Sequence, residues 1–107
     1  MNSISGPGRY RSIFRHDLFA GHTIWVTGGG SGIGRCVAHE LACLGARVII
    51  SGRTAAKLDR VRAEILQDGG TCETVSLDIR DEEAVKAAVT HMVTQAGPIH
   101  GLVNNAG

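Results

Sequence analysis

The stretch Ile24-Trp25-Val26-Thr27-Gly28-Gly29-Gly30-Ser31-Gly32-Ile33-Gly34 is an apolar run that stops in a glycine-rich turn and restarts as an amphipathic helix. In that order it reads as a phosphate-cradling loop. A dinucleotide's pyrophosphate needs bare backbone N–H groups and the positive end of a helix dipole, and each glycine removes a side chain that would block its approach. Gly28 suits the tight exit from the strand, Gly32 the approach of the anion, and Gly34 the close packing of the helix on the sheet. Thr23 to Val26 is short, β-branched and aromatic, as a buried parallel strand should be. Ile33, Val37, Leu41 and Leu44 fall at helical spacing and predict one buried face, with Gly45 where a C-terminal cap belongs. A triphosphate-binding loop fits poorly, because Arg35-Cys36 follows the turn where Lys and Ser or Thr would hold phosphates and Mg²⁺.

Outward from this turn the alternation of strand and helix repeats. Arg47 to Ile50 is a second apolar strand, Ser51-Gly52-Arg53-Thr54 a turn, and Leu58, Val61 and Ile65 the inner face of a second helix ended by Gly69-Gly70. Thr71 to Leu77 reads as a third strand with Asp78-Ile79 at its end. Asp81 is placed to cap the next helix, Glu82 and Glu83 favour its dipole, and Val85, Ala88, Val89, Met92 and Val93 form its predicted buried stripe. Gly97-Pro98 stops that helix, and Ile99 to Val103 is a fourth strand before Asn104-Asn105-Ala106-Gly107. This alternation predicts an α/β fold with a right-handed, doubly wound parallel sheet. The first two helices fall on one face and the third on the other.

The combination of Thr27-Gly28-x-x-x-Gly32-x-Gly34, Asp78 after the third strand and Asn104-Asn105-Ala106-Gly107 after the fourth resembles the short-chain dehydrogenase/reductase family, from about Leu18 to the last residue. The resemblance implies a Rossmann-type sheet, truncated here after its fourth strand, and an NAD(P)(H)-dependent oxidoreductase. Its hydride would pass between nicotinamide and a carbonyl, alcohol or enoyl thioester. It further implies that Gly28, Gly30, Ser31 and Ile33, in the turn with Gly32 and Gly34, line the pyrophosphate and adenosine ribose. Asp78 would accept from the adenine amine with Ile79 beside it, and Asn105, Ala106 and Gly107 would run along the cofactor's ribose. The segment Tyr10 to Gly21 resembles, more narrowly, relatives of the trans-2-enoyl-CoA and 2,4-dienoyl-CoA reductases and of citronellol-type dehydrogenases. His100 departs from the acidic residue usual before the fourth strand, and is expected to alter a surface contact more than the cofactor site.

Members of the family act through a Ser, and a Tyr and a Lys in Tyr-x-x-x-Lys spacing, downstream of Asn-Asn-Ala-Gly. The only tyrosine here is Tyr10, in the N-terminal arm, so no catalytic residue is assigned. These residues look like the cofactor-binding half of a reductase, inactive alone, whose whole form would be a homo-oligomer acting on a small molecule. The other reading is a dinucleotide-binding module without activity.

Cofactor choice is legible at the end of the second strand. An NAD-selecting site needs a carboxylate there, roughly 20 residues past the glycine turn, to bond the ribose hydroxyls. Gly52 occupies that position and Arg53 follows. A guanidinium pairs with a 2′-phosphate through charge-assisted hydrogen bonds, so NADP(H) is the predicted preference and NAD(H) the alternative.

Composition narrows the rest. An apolar content of 43% with 15 glycines among 107 residues suits one small glycine-rich α/β domain. A net charge of +1 lacks the strongly basic footprint of a nucleic-acid or anionic-membrane binder, and no run approaches the roughly 18 apolar residues of a membrane span. Cys36, Cys43 and Cys72 are odd in number and unpatterned, which suits a reducing cytoplasm, and the five histidines show no metal-ligand spacing. Residues 1–20 read as a flexible arm with Arg9, Arg11 and Arg15 among Tyr10, Ile13 and Phe14, without the apolar core of a signal peptide. Residues 21–107 read as the first part of the dinucleotide-binding domain.

Overall fold

A computed structural model describes residues 14–105. Its elements run β1 (Thr23–Thr27), α1 (Gly32–Cys43), β2 (Arg47–Gly52), α2 (Ala55–Gln67), β3 (Thr71–Ser76), α3 (Glu82–Ala96) and β4 (Gly101–Val103). The sheet order is β3-β2-β1-β4 and every pairing is parallel. The chain thus builds outward from β1 to β3, then crosses back to lay β4 on the other side of β1. Such a reversal opens a crevice at the carboxyl ends of the strands on either side of it.

Alternation along the strands divides the core into two layers. Ile24, Val26, Val48, Ile50 and Cys72 point to one face, where Ala38 and Ala42 of α1 and Leu58, Val61 and Ile65 of α2 cover them. Trp25 and Ile49 point to the other, against Leu77 and against Ala88 and Met92 of α3. The two-and-one distribution of helices is therefore as the sequence predicts. Burial pushes the Cys72 thiol up to about 12, leaving it an inert apolar filler. The Trp25 indole N–H donates to Ser51 Oγ at 2.8 Å, so the buried polar atoms of neighbouring strands satisfy each other.

Several expectations are corrected. Ile33 does not share the buried face of α1 but is 73% exposed, because the side facing the sheet is built from Gly34, Ala38 and Ala42, residues small enough for close approach. Val93 likewise faces water, since α3 buries only Ala88 and Met92 fully and Val85 and Val89 in part. β2 runs on through Ser51 and Gly52, which the sequence had placed in a turn, because their pairing with Val75 and Ser76 continues the ladder. β3 stops at Ser76, one residue short of Leu77. β4 begins only at Gly101, with Ile99 and His100 outside it. His100 still ties β4 to β1, for its main-chain N–H donates to Thr23 O at 2.8 Å and its Nδ1 accepts from Thr23 N–H at 2.9 Å. Arg9, Tyr10, Arg11 and Ile13 lie outside the described residues. Nearer the domain, the Phe19 N–H donates to Leu44 O at 2.8 Å and Phe19 packs on the core.

Candidate cofactor-binding site

The site begins at the end of β1. Gly28 adopts φ +67° and its N–H donates to Ser51 O at 2.8 Å, which turns the chain sharply off the strand. Gly34 sits so close to this turn that an added Cβ would strike the Gly28 carbonyl oxygen and the Asn105 side chain. Its role is therefore packing. Gly29, which sequence reasoning passed over, is as restricted: a Cβ there would lie 2.5 Å from Ile50 Cγ2. Only the folded contact with β2 reveals it.

Beside the turn an open cleft of about 450 Å³ is lined by Gly28, Gly30, Ser31, Gly52, Arg53, Thr54, Lys57 and Leu58. Two helix N-termini flank it. Ser31 caps α1 and Thr54 caps α2 from extended conformations, neither side chain bonds the first-turn N–H groups, and neither first turn carries an acid. α3, whose start does not line the cleft, is built the opposite way: Asp81 accepts from Ala84 N–H, and Glu82 and Glu83 follow. Open helix N-termini with the cations Arg53 and Lys57 beside them attract an anion. Among the described residues no hydrogen bond or ion pair holds Arg53. Thr54 and Lys57 were missed by sequence reasoning, although their position in the first turn after β2 is a signal that could have found them.

The remaining predicted residues are not among those lining this cleft, and each sits differently. Gly32, at φ +57°, starts α1, and Ile33 stands exposed in its first turn. Asp78 and Ile79 follow β3, next to the end of β2, because Leu77 N–H donates to Gly52 O at 2.7 Å. The Asp78 carboxylate is bound by the Arg80 guanidinium and main-chain N–H, and this pairing, with Arg53 adding to it, holds its pKa down at about 2. Asn105 uses its donors inside the protein: its N–H bonds Thr27 Oγ1 at 2.9 Å and its Nδ2 reaches Gly28 O at 3.4 Å, fastening the end of β4 to the glycine turn. Ala106 and Gly107 lie outside the described residues. No group of three or more His, Cys, Asp or Glu that could hold a metal occurs among the described residues, and no helix there is long and apolar enough to cross a membrane.

A parallel sheet that reverses order beside a glycine turn and an open helix N-terminus defines a dinucleotide-binding α/β module of the Rossmann type. The family model for short chain dehydrogenases matches residues 22–107, and the chain belongs to that family, whose members are oxidoreductases. It is 38% identical over 102 residues to a probable 2,4-dienoyl-CoA reductase of Caenorhabditis elegans, a match covering 94% of this chain and 33% of the relative. Among solved structures it is similar to the citronellol catabolism dehydrogenase of Pseudomonas aeruginosa PAO1, with 59% identity and a TM-score of 0.89 over 92% of this chain and 41% of that one. A metagenomic short-chain oxidoreductase in complex with NADP shares 39% identity and a TM-score of 0.80 over 82% of this chain and 40% of its own. The chain thus spans between a third and about two fifths of the length of these proteins.

Proposed function

We propose that these residues bind NADP(H) in an oxidoreductase that moves a hydride between nicotinamide and a carbonyl, alcohol or enoyl thioester of a small molecule. The observation that carries the reading is the cleft between two helix starts whose first-turn N–H groups no capping side chain bonds, with Gly52 where an NAD-selecting acid would stand and Arg53, Thr54 and Lys57 around it. Arg53 and Lys57 would neutralise the 2′-phosphate, and the glycine turn would approach the pyrophosphate with main-chain N–H groups. Asp78 would accept from the adenine amine. When bound, the nicotinamide would supply or receive the hydride. Likeness to the citronellol catabolism dehydrogenase and to a probable dienoyl-CoA reductase supports a hydrophobic alcohol, aldehyde or acyl thioester as substrate class. A homo-oligomeric whole protein working in the cytoplasm belongs to the same reading.

The test is a titration of the protein, purified as its gene encodes it, with NADPH and NADH. Arg53→Ala is expected to weaken NADPH by about 1.5–3 kcal/mol, the range for hydrogen bonds to charged groups, with little change for NADH. Equal losses for both cofactors would refute the assignment of Arg53 to the 2′-phosphate.

A further inference from the structure

Arg80 lies two residues past Asp78 in the loop after β3, and nothing in the motifs assigns it a task. Its main-chain N–H donates to Asp78 Oδ1 at 3.0 Å, its Nε lies 3.1 Å from Oδ1 and 3.3 Å from Oδ2, and its terminal nitrogen donates to Oδ2 at 2.9 Å. Both oxygens of Asp78 are thus held by one residue two positions along, in a fork that fixes the plane of the carboxylate. Asp78 also lies in the field of Arg53. The register explains this proximity, since Gly52 pairs with Ser76 and the loops carrying Arg53 and Asp78 leave the sheet at the same level. With no other partner, a carboxylate beside an unengaged guanidinium closes on it, and a neutralised Arg53 has little left to offer a phosphate.

We propose that Arg80 is a positioning residue which, by engaging Asp78, keeps that carboxylate off Arg53 and so leaves Arg53 open to the 2′-phosphate. Arg80 then sets cofactor preference without touching the phosphate. The proposal rests on the reading of Arg53 given above. It also explains why an acid is tolerated next to an anion site: the three charges together are net positive, whereas Arg53 and Asp78 alone would cancel.

The experiment measures equilibrium affinities for NADPH and NADH in the gene-encoded protein and its Arg80→Ala, Arg80→Lys, Asp78→Asn, Arg53→Ala and Arg80→Ala/Asp78→Asn variants. Arg80→Ala is expected to cut the NADPH-over-NADH preference by about tenfold, in keeping with the loss of one charge-assisted contact. Arg80→Lys, with a point charge instead of a fork, should recover part of it. Adding Asp78→Asn to Arg80→Ala should restore the preference, because no carboxylate remains to close on Arg53. A double variant as poor as Arg80→Ala would overturn the proposal and give Arg80 a direct role at the phosphate, and an unchanged preference in Arg80→Ala would overturn it outright. Should Arg53→Ala leave the preference intact, the underlying reading of Arg53 falls, and the proposal with it.

Discussion

The glycines of the turn do different jobs, and the difference is set by what lies opposite each one. Gly28 and Gly32 are there for positive φ, a property that a turn between a strand and a helix makes visible in the sequence. Gly29 is there because Ile50 leaves no room for a Cβ, a constraint from a residue on the neighbouring strand that no spacing rule contains. Gly29→Ala is therefore expected to destabilise the fold by about 1–3 kcal/mol, as overpacking of a tight contact does, while leaving the ratio of NADPH to NADH affinity unchanged. Urea unfolding and cofactor titration of the same variant check both halves. That Arg53 lines the cleft was legible from its place at the end of the second strand, whereas Lys57 was not, since a lysine one turn into a helix is ordinarily a solvated surface residue. The occupied state of Asp78 was equally hidden. Only the geometry shows Arg80 folded back on it.

Elements were legible from period, and their ends were not. The apolar spacing at Leu58, Val61 and Ile65 gave the inner face of α2 correctly, because three buried residues at helical spacing against a sheet leave one solution. Ile33 fitted the same arithmetic on α1 and is nonetheless exposed, because the helix approaches the sheet through Gly34, Ala38 and Ala42. The start of β4 was misread because His100 continues the bonding to Thr23 with its ring, a contact that apolar patterning does not register. α1 and α2 are tied on their outer side by Arg35, which forks onto Glu64, and by His39, whose Nε2 lies 2.9 Å from Glu64 Oε1. Hydrogen bonding from Arg35, against a smaller opposing effect of burial, holds the Glu64 carboxyl below its ordinary value of 4.5. A depressed folded-state value means the stabilisation is present above about pH 4.5 and is lost as pH falls through that lower value. Glu64→Gln is expected to cost less than about 1 kcal/mol at pH 7, because the pair is partly exposed, and to flatten this part of the acid limb. Thermal melts from pH 7 to 3 on both proteins would show it, and parallel curves would argue against the clamp.

At the scale of the molecule, the order β3-β2-β1-β4 places the glycine turn, the end of β2 and the start of α2 around one crevice, so the candidate site is a consequence of topology as much as of motif. Among the described residues one face of the sheet is only partly covered. Leu102 points to the α3 face, in register with Trp25, yet is 58% exposed, since α3 covers the Trp25, Ile49 and Leu77 side of that layer. An apolar residue on a short edge strand invites pairing and association. These 107 residues expressed alone are expected to show no hydride transfer, because they contain no Tyr-x-x-x-Lys pair to serve the reacting oxygen. Turnover of NADPH by that purified piece would contradict the division of labour proposed for the chain. The central claim, that NADP(H) lies across the glycine turn with its 2′-phosphate between the starts of α1 and α2, is tested most directly by hydrogen–deuterium exchange with and without NADPH. Slowed exchange is expected in peptides covering Gly28 to Gly34, Arg53 to Leu58 and Asp78 to Ile79, with the protection at Arg53 to Leu58 weaker when NADH replaces NADPH. Protection confined to other segments, or identical for the two cofactors at Arg53 to Leu58, would contradict it.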